Sequence, residues 1–142
     1  MLSTWFRKIT QRILHPSLSW VLPVKGVYFY ETDAVENHGL LAPGAVVTLK
    51  PEPDNEFDRH AVQIWLSGSP NSPPFSPFSP YSSCLLGYIP RTHSRRIAWL
   101  LQHAQLKTAE IESVYRQYHR LYIYVRLGFN VRWWQAIQYW IR

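Results

Sequence analysis

The stretch PEPDNEFDRH (51–60) carries acids at alternating positions, Asp54, Glu56 and Asp58. Alternating carboxylates can hold a divalent cation. An EF-hand loop also needs a glycine at its sharp turn and a terminal bidentate glutamate, and this stretch supplies neither. No Asp…Glu-x-Lys set accompanies the acids, so a metal-dependent nuclease is the weaker, enzymatic alternative. The six histidines are scattered without paired ligand spacing, and Cys84 is the single cysteine. Those counts argue against a zinc site and against an internal disulfide framework. Neither a nucleophilic triad signature nor G-x-x-x-x-G-K-[ST] occurs. The expectation is a protein that is not an enzyme and needs no metal or cofactor.

Charge points to a partner. The net charge is +6, with a pI near 9.7. Seven of the nine acids fall between Glu31 and Asp58, and ten of the fifteen lysines and arginines follow Asp58. A basic second half beside a short acidic patch suits an anionic partner, nucleic acid or an anionic membrane; a merely solubilising surface is the bland alternative. Seven tryptophans and nine tyrosines serve equally as core material and as stacking platforms. No apolar run reaches the length of a membrane span. Arg7, Lys8 and Arg12 interrupt any secretory-type apolar stretch, although the acid-poor start leaves an organelle transit peptide open. The lone cysteine fits a reducing, cytoplasmic setting, or a nucleoid-associated one in a bacterium.

The elements that must position these residues follow from periodicity. Leu2, Trp5, Phe6, Ile9 and Ile13 make 4–14 an amphipathic helix, capped by Ser3 and stopped by Pro16. Residues 24–32, 45–50, 61–66 and 84–90 read as strands. In the third, Val62, Ile64 and Leu66 alternate with Ala61, Gln63 and Trp65. The Ser/Pro-rich insert 67–83 cannot continue a ladder, because its prolines lack the N–H donor. Thr92 can cap a helix over 93–104 whose apolar stripe is Ile97, Leu100, Leu101 and Ala104. Strands are expected at 106–114 and 119–127, then a Trp-rich helix. The domain assignment is 1–20 for an N-terminal helix and linker, 21–128 for the β domain, and 129–142 for the C-terminal helix. Six short strands around one helix predict a mainly β (α+β) domain, a small partly open barrel of the OB or SH3-like kind with helical terminal extensions.

Three segments stand in a recognisable order: GVYFY (26–30), LKPEPDNEFDRHAV (49–62) and LLGYIPRTHSRRIAWLL (85–101). Together they resemble the HIRAN domain, which has a strand with a glycine and aromatics, an EPxNxxDxxAV-like loop, and LGYxPR leading into a helix. The resemblance covers roughly 24–127, and the expectation that goes with it is a free-standing member of the family. It implies an OB-like module that captures the 3′-hydroxyl end of single-stranded DNA, in a repair, replication or mobile-element context.

The resemblance also implies roles for individual residues. Phe57 and Phe29 stand where the family places base-stacking aromatics; either could instead be core, since Tyr28 and Tyr30 face the opposite side of the strand from Phe29. Asp58 would accept a hydrogen bond from a terminal hydroxyl, or it could fix its own loop by accepting backbone N–H groups. Asp54 and Asn55 shape the loop and face the nucleotide, although Asp54 is a carboxylate where a relative can carry an amide. Arg91 is the basic residue beside the strand backbone, at a helix N-terminus that adds donors. Tyr88 stacks or donates to a phosphate. Tyr28 replaces a basic residue of the family pattern. Arg95 and Arg96 read as a solvated face within reach of phosphate. The competing non-enzymatic reading is an adaptor that binds a protein, or less readily a membrane, through the Trp-rich termini.

Overall fold

The computed structural model describes residues 17–27, 41–67 and 83–132, together with 134, 137, 138 and 141. Its elements, in chain order, are β1 (Ser17–Pro23), β2 (Val47–Pro51), β3 (Val62–Ser67), β4 (Ser83–Tyr88), α1 (Arg91–His103), β5 (Gln105–Gln117) and β6 (Arg120–Asn130). The period-two pattern decides which faces turn inward. Val62, Ile64 and Leu66 of β3 are buried, as are Ile123, Val125, Leu127 and Phe129 of β6. Helix α1 inserts Ile97 and Leu100 into the same core. Full burial of such side chains stabilises by about 1.5–3 kcal/mol each. An isolated helix of this length is marginal in water, so this packing holds α1 in place.

The strands form two three-stranded antiparallel sheets, β1-β6-β5 and β2-β3-β4. The partly open barrel expected from the strand count resolves into these two sheets, which meet at both margins through isolated bridges, Lys25 with Tyr88 and Val46 with Glu110. Among the described residues no continuous ladder crosses either margin, so the barrel is not closed. At the first margin the Lys25 and Tyr88 backbones exchange hydrogen bonds of 2.9 and 2.8 Å. Gly87 permits this approach, since a Cβ there would collide with the Lys25 carbonyl oxygen and with Val24.

Several boundaries differ from the periodic reading. Ser17–Pro23 is a full strand paired along its length with β6, Ser17 opposite Asn130 and Pro23 opposite Tyr124. The sequence assigns most of that segment to a linker, because its pattern is short and its pairing partner is more than a hundred positions away. Of the predicted first strand, Lys25 makes a single bridge, and 28–32 lie outside the described residues. Helix α1 starts at Arg91, with Pro90 at the N-cap and no side-chain cap. Thr92 is therefore inside the helix instead of capping it. Proline suits the boundary because its ring fixes φ (−54°) at a value the helix also uses and removes an N–H that the helix would leave without a partner, while its ψ of 138° keeps it outside the helix. Its carbonyl accepts the His93 and Ser94 N–H groups at 2.8 and 3.0 Å.

Strands β5 and β6 join through a two-residue turn, Tyr118 (φ 51°) and His119 (φ 64°), both left-handed. Ser67 and Ser83 face each other at the far end of the β3–β4 pair, and the insert between them lies outside the described residues. So does the predicted helix at 4–14. At the C-terminus Trp134, Ile137, Gln138 and Ile141 are helical, and the Trp134, Ile137 and Ile141 side chains are exposed. Among the described residues no helix is long and apolar enough to cross a membrane.

Candidate functional site

The acidic loop between β2 and β3 is built on Asn55. Its Oδ1 accepts the backbone N–H groups of Phe57 (2.9 Å) and Asp58 (3.0 Å), an arrangement in which a short side chain replaces a backbone turn acceptor. Its Nδ2 donates to Glu52 Oε2 at 3.2 Å, and the Tyr88 hydroxyl donates to the same oxygen at 2.7 Å. The Tyr88 bond first, and the Asn55 bond second, hold the Glu52 carboxyl below the usual glutamate range against the opposing effect of partial burial. Backbone bonds from Glu52 N–H to the Ala61 carbonyl (2.8 Å) and from Ala61 N–H to the Asp58 carbonyl (3.0 Å) close the base of the loop.

This framework displays two adjacent side chains differently. Phe57 is 82% exposed. Asp58 is half-buried and turned toward α1. Its Oδ1 accepts the His60 N–H at 2.9 Å, and its Oδ2 accepts the hydroxyl of Ser94 at 2.6 Å. Partial burial pushes the Asp58 carboxyl upward, but the Ser94 and His60 hydrogen bonds, with the charges of His60 and Arg91, outweigh it and leave the group below its ordinary value. Ser94 is 2% exposed and sits in the first turn of α1.

The loop and the start of α1 enclose a cleft of about 540 Å³ lined by Asn55, Glu56, Phe57, Asp58, Arg59, His60, Arg91, Ser94 and Arg95. Arg59, Arg91 and Arg95 outnumber Glu56 and Asp58 around it, and the positive end of α1 adjoins it. The cleft can therefore hold an anion beside a hydrogen-bond acceptor, under an exposed ring.

Of the residues singled out in the sequence, the structure brings Asn55, Phe57, Asp58 and Arg91 to one cleft. Asp54 is exposed and does not line it. Tyr88 lies behind the loop, its hydroxyl engaged with Glu52 and so not presented to a phosphate in this arrangement. Tyr28 and Phe29 lie outside the described residues. Among the described residues, no three His, Cys, Asp or Glu side chains converge as a metal site. Sequence reasoning passed over Ser94, Arg59 and His60. The only hint for Ser94 was a small polar residue on the line of the apolar helix stripe, three positions before Ile97.

The family model described as HIRAN domain matches residues 18–132. The crystal structure of the HIRAN domain of human HLTF is similar, at 13% identity and a TM-score of 0.57 over 87% of this chain and 86% of that one. A crystal structure of a protein from Lactobacillus plantarum is similar at 20% identity and a TM-score of 0.52, over 81% of this chain and 98% of that one. At these identities the two structures speak to the fold alone. No curated protein matches the chain. With the family model covering α1 and, apart from Ser17, every described strand, the chain belongs to the HIRAN domain family.

Proposed function

We propose that the cleft between the acidic loop and α1 binds the 3′-hydroxyl end of single-stranded DNA. HIRAN domains are generally associated with DNA binding, and the end-specific reading rests on one observation: Phe57, 82% exposed, stands beside Asp58 and shares one cleft with Arg91. A ring so exposed, on a turn already held by Asn55, contributes little to packing. It offers a base a stacking face worth about 1–3 kcal/mol without regard to sequence. Arg91 and the start of α1 receive the last phosphate. Asp58 would repel a further phosphate, so its place is at a terminus, where a hydroxyl donor stands instead. Each Asp58 oxygen already accepts one hydrogen bond and keeps a second lone pair for that donor.

The test is fluorescence anisotropy with one oligonucleotide carrying either a 3′-hydroxyl or a 3′-phosphate. Tighter binding of the free end supports the reading. Equal affinities refute end capture and leave general strand binding standing. A parallel lane with divalent metal should leave the strand intact, and strand loss there would favour the nuclease alternative.

One further observation supports a second contact. Trp134, Ile137 and Ile141 are 52%, 44% and 79% exposed, which suits an adaptor role for the C-terminal segment toward a protein partner. Removing 133–142, which leaves the buried Phe129 and Val131 in place, would then abolish partner capture and leave strand binding unchanged.

A further inference from the structure

Ser94 and Asp58 are 36 residues apart in sequence, and their bond ties the acidic loop to α1. Ser94 is the only polar or charged residue buried among those described. Its hydroxyl has one proton and two acceptors within reach, Asp58 Oδ2 at 2.6 Å and the Arg91 carbonyl at 3.1 Å. The shorter contact, to an ionised partner, takes the proton. Ser94 thus sits between the carboxylate proposed to meet the strand end and the residue proposed to hold its phosphate.

We propose that Ser94 is a positioning residue for end recognition: its hydroxyl fixes the Asp58 carboxylate relative to Arg91 and so sets the discrimination between free and blocked 3′ ends. This rests on the end-capture reading above. Two independent anchors define the carboxylate plane, His60 N–H on Oδ1 and Ser94 on Oδ2. With Ser94 removed, one anchor remains and the carboxylate can rotate about it toward solvent or toward a guanidinium. The other charged or titratable groups around it are Glu56, Arg59 and His60 from the loop and Arg91 and Arg95 from α1. None of these replaces a buried hydroxyl on the helix side.

The experiment is a double-mutant cycle on the full chain with Ser94→Ala, Asp58→Asn and the double variant, measuring the ratio of affinities for 3′-hydroxyl and 3′-phosphate strands across acid to neutral pH. Alanine is a good helix former and smaller than serine, so α1 is expected to persist; circular dichroism checks this. Ser94→Ala is expected to shrink the ratio on the order of tenfold, the scale of losing one hydrogen bond to a charged group. It should do so by weakening the free end more than the blocked end, and should have no further effect on the ratio once Asp58 is Asn. The pH at which the preference fades should also rise, because Asp58 loses a bond that favours its ionised form. The proposal is overturned if the ratio is unchanged, if both strands weaken equally, or if the effect persists with Asp58→Asn. If the unsubstituted protein shows no preference between the ends, end capture itself fails, and that result is distinguishable because it precedes any substitution.

Discussion

Tyr88 donates its hydroxyl hydrogen to Glu52 Oε2 at 2.7 Å across a separation of 36 residues. The bond ties the last residue of β4 to the first residue of the acidic loop, and the same carboxylate receives Asn55. One glutamate thus joins the sheet margin to the turn that displays Phe57. Tyr88→Phe should cost about 0.5–1.5 kcal/mol of stability, read as a lower denaturant midpoint with an unchanged slope. The pH dependence follows from the direction of the Glu52 shift. Its carboxyl is held below the ordinary value, so the stabilisation is complete above about pH 4.3 and is lost as pH falls through the folded-state value. The variant and the unsubstituted protein should therefore converge in stability in acid, and a denaturation series across pH checks this.

Phe57→Ala should weaken single-strand binding by about 1–3 kcal/mol while leaving the melting temperature unchanged, because the ring is 82% exposed. A fall in melting temperature comparable to a core truncation would show that the ring packs against the protein in solution.

Arg91→Gln should lower the salt sensitivity of binding. For single strands the log–log slope is about −0.7 per phosphate contacted, so loss of one contact should make the slope shallower by about that amount. Anisotropy titrations over a range of salt concentrations measure it.

Asn55→Ala removes the acceptor for two backbone N–H groups. Leaving them without a partner in the folded loop should cost about 1–3 kcal/mol where water cannot substitute. Amide exchange should accelerate at Phe57 and Asp58 well before it does in β3.

The β5–β6 turn predicts a gain. Tyr118 and His119 both hold positive φ, a conformation that costs ordinary residues about 1–2 kcal/mol each and that Asn-Gly adopts readily in two-residue hairpins. Replacing Tyr118 with Asn and His119 with Gly should raise the melting temperature with no change in strand affinity.

Local periodicity carried much of this fold. The alternation in β3 and β6 and the Ile97–Leu100 stripe of α1 follow from side chains a few positions apart, so a single sequence reveals them. β1 was hidden because Ser17–Pro23 has a weak pattern and gains its identity from pairing with β6. The split into two sheets was equally hidden, since margins held by Lys25–Tyr88 and Val46–Glu110 depend on backbone approach more than on residue type. At the cleft, the motifs pointed to Asn55, Phe57, Asp58 and Arg91. They did not reveal that Tyr88 faces Glu52 or that Ser94 faces Asp58, because each partnership spans 36 residues and depends on how the helix docks.

The pairing of Ser67 with Ser83 has a practical consequence. Strand β3 leaves the acidic loop at Val62 and reaches Ser67 five residues on, a span of roughly 17 Å. The connection between Ser67 and Ser83 therefore departs from the opposite pole to Asp58 and Arg91. A dye, an affinity handle or a surface tether attached at the Ser67 end of β3 would stand at that pole, away from the mouth of the cleft.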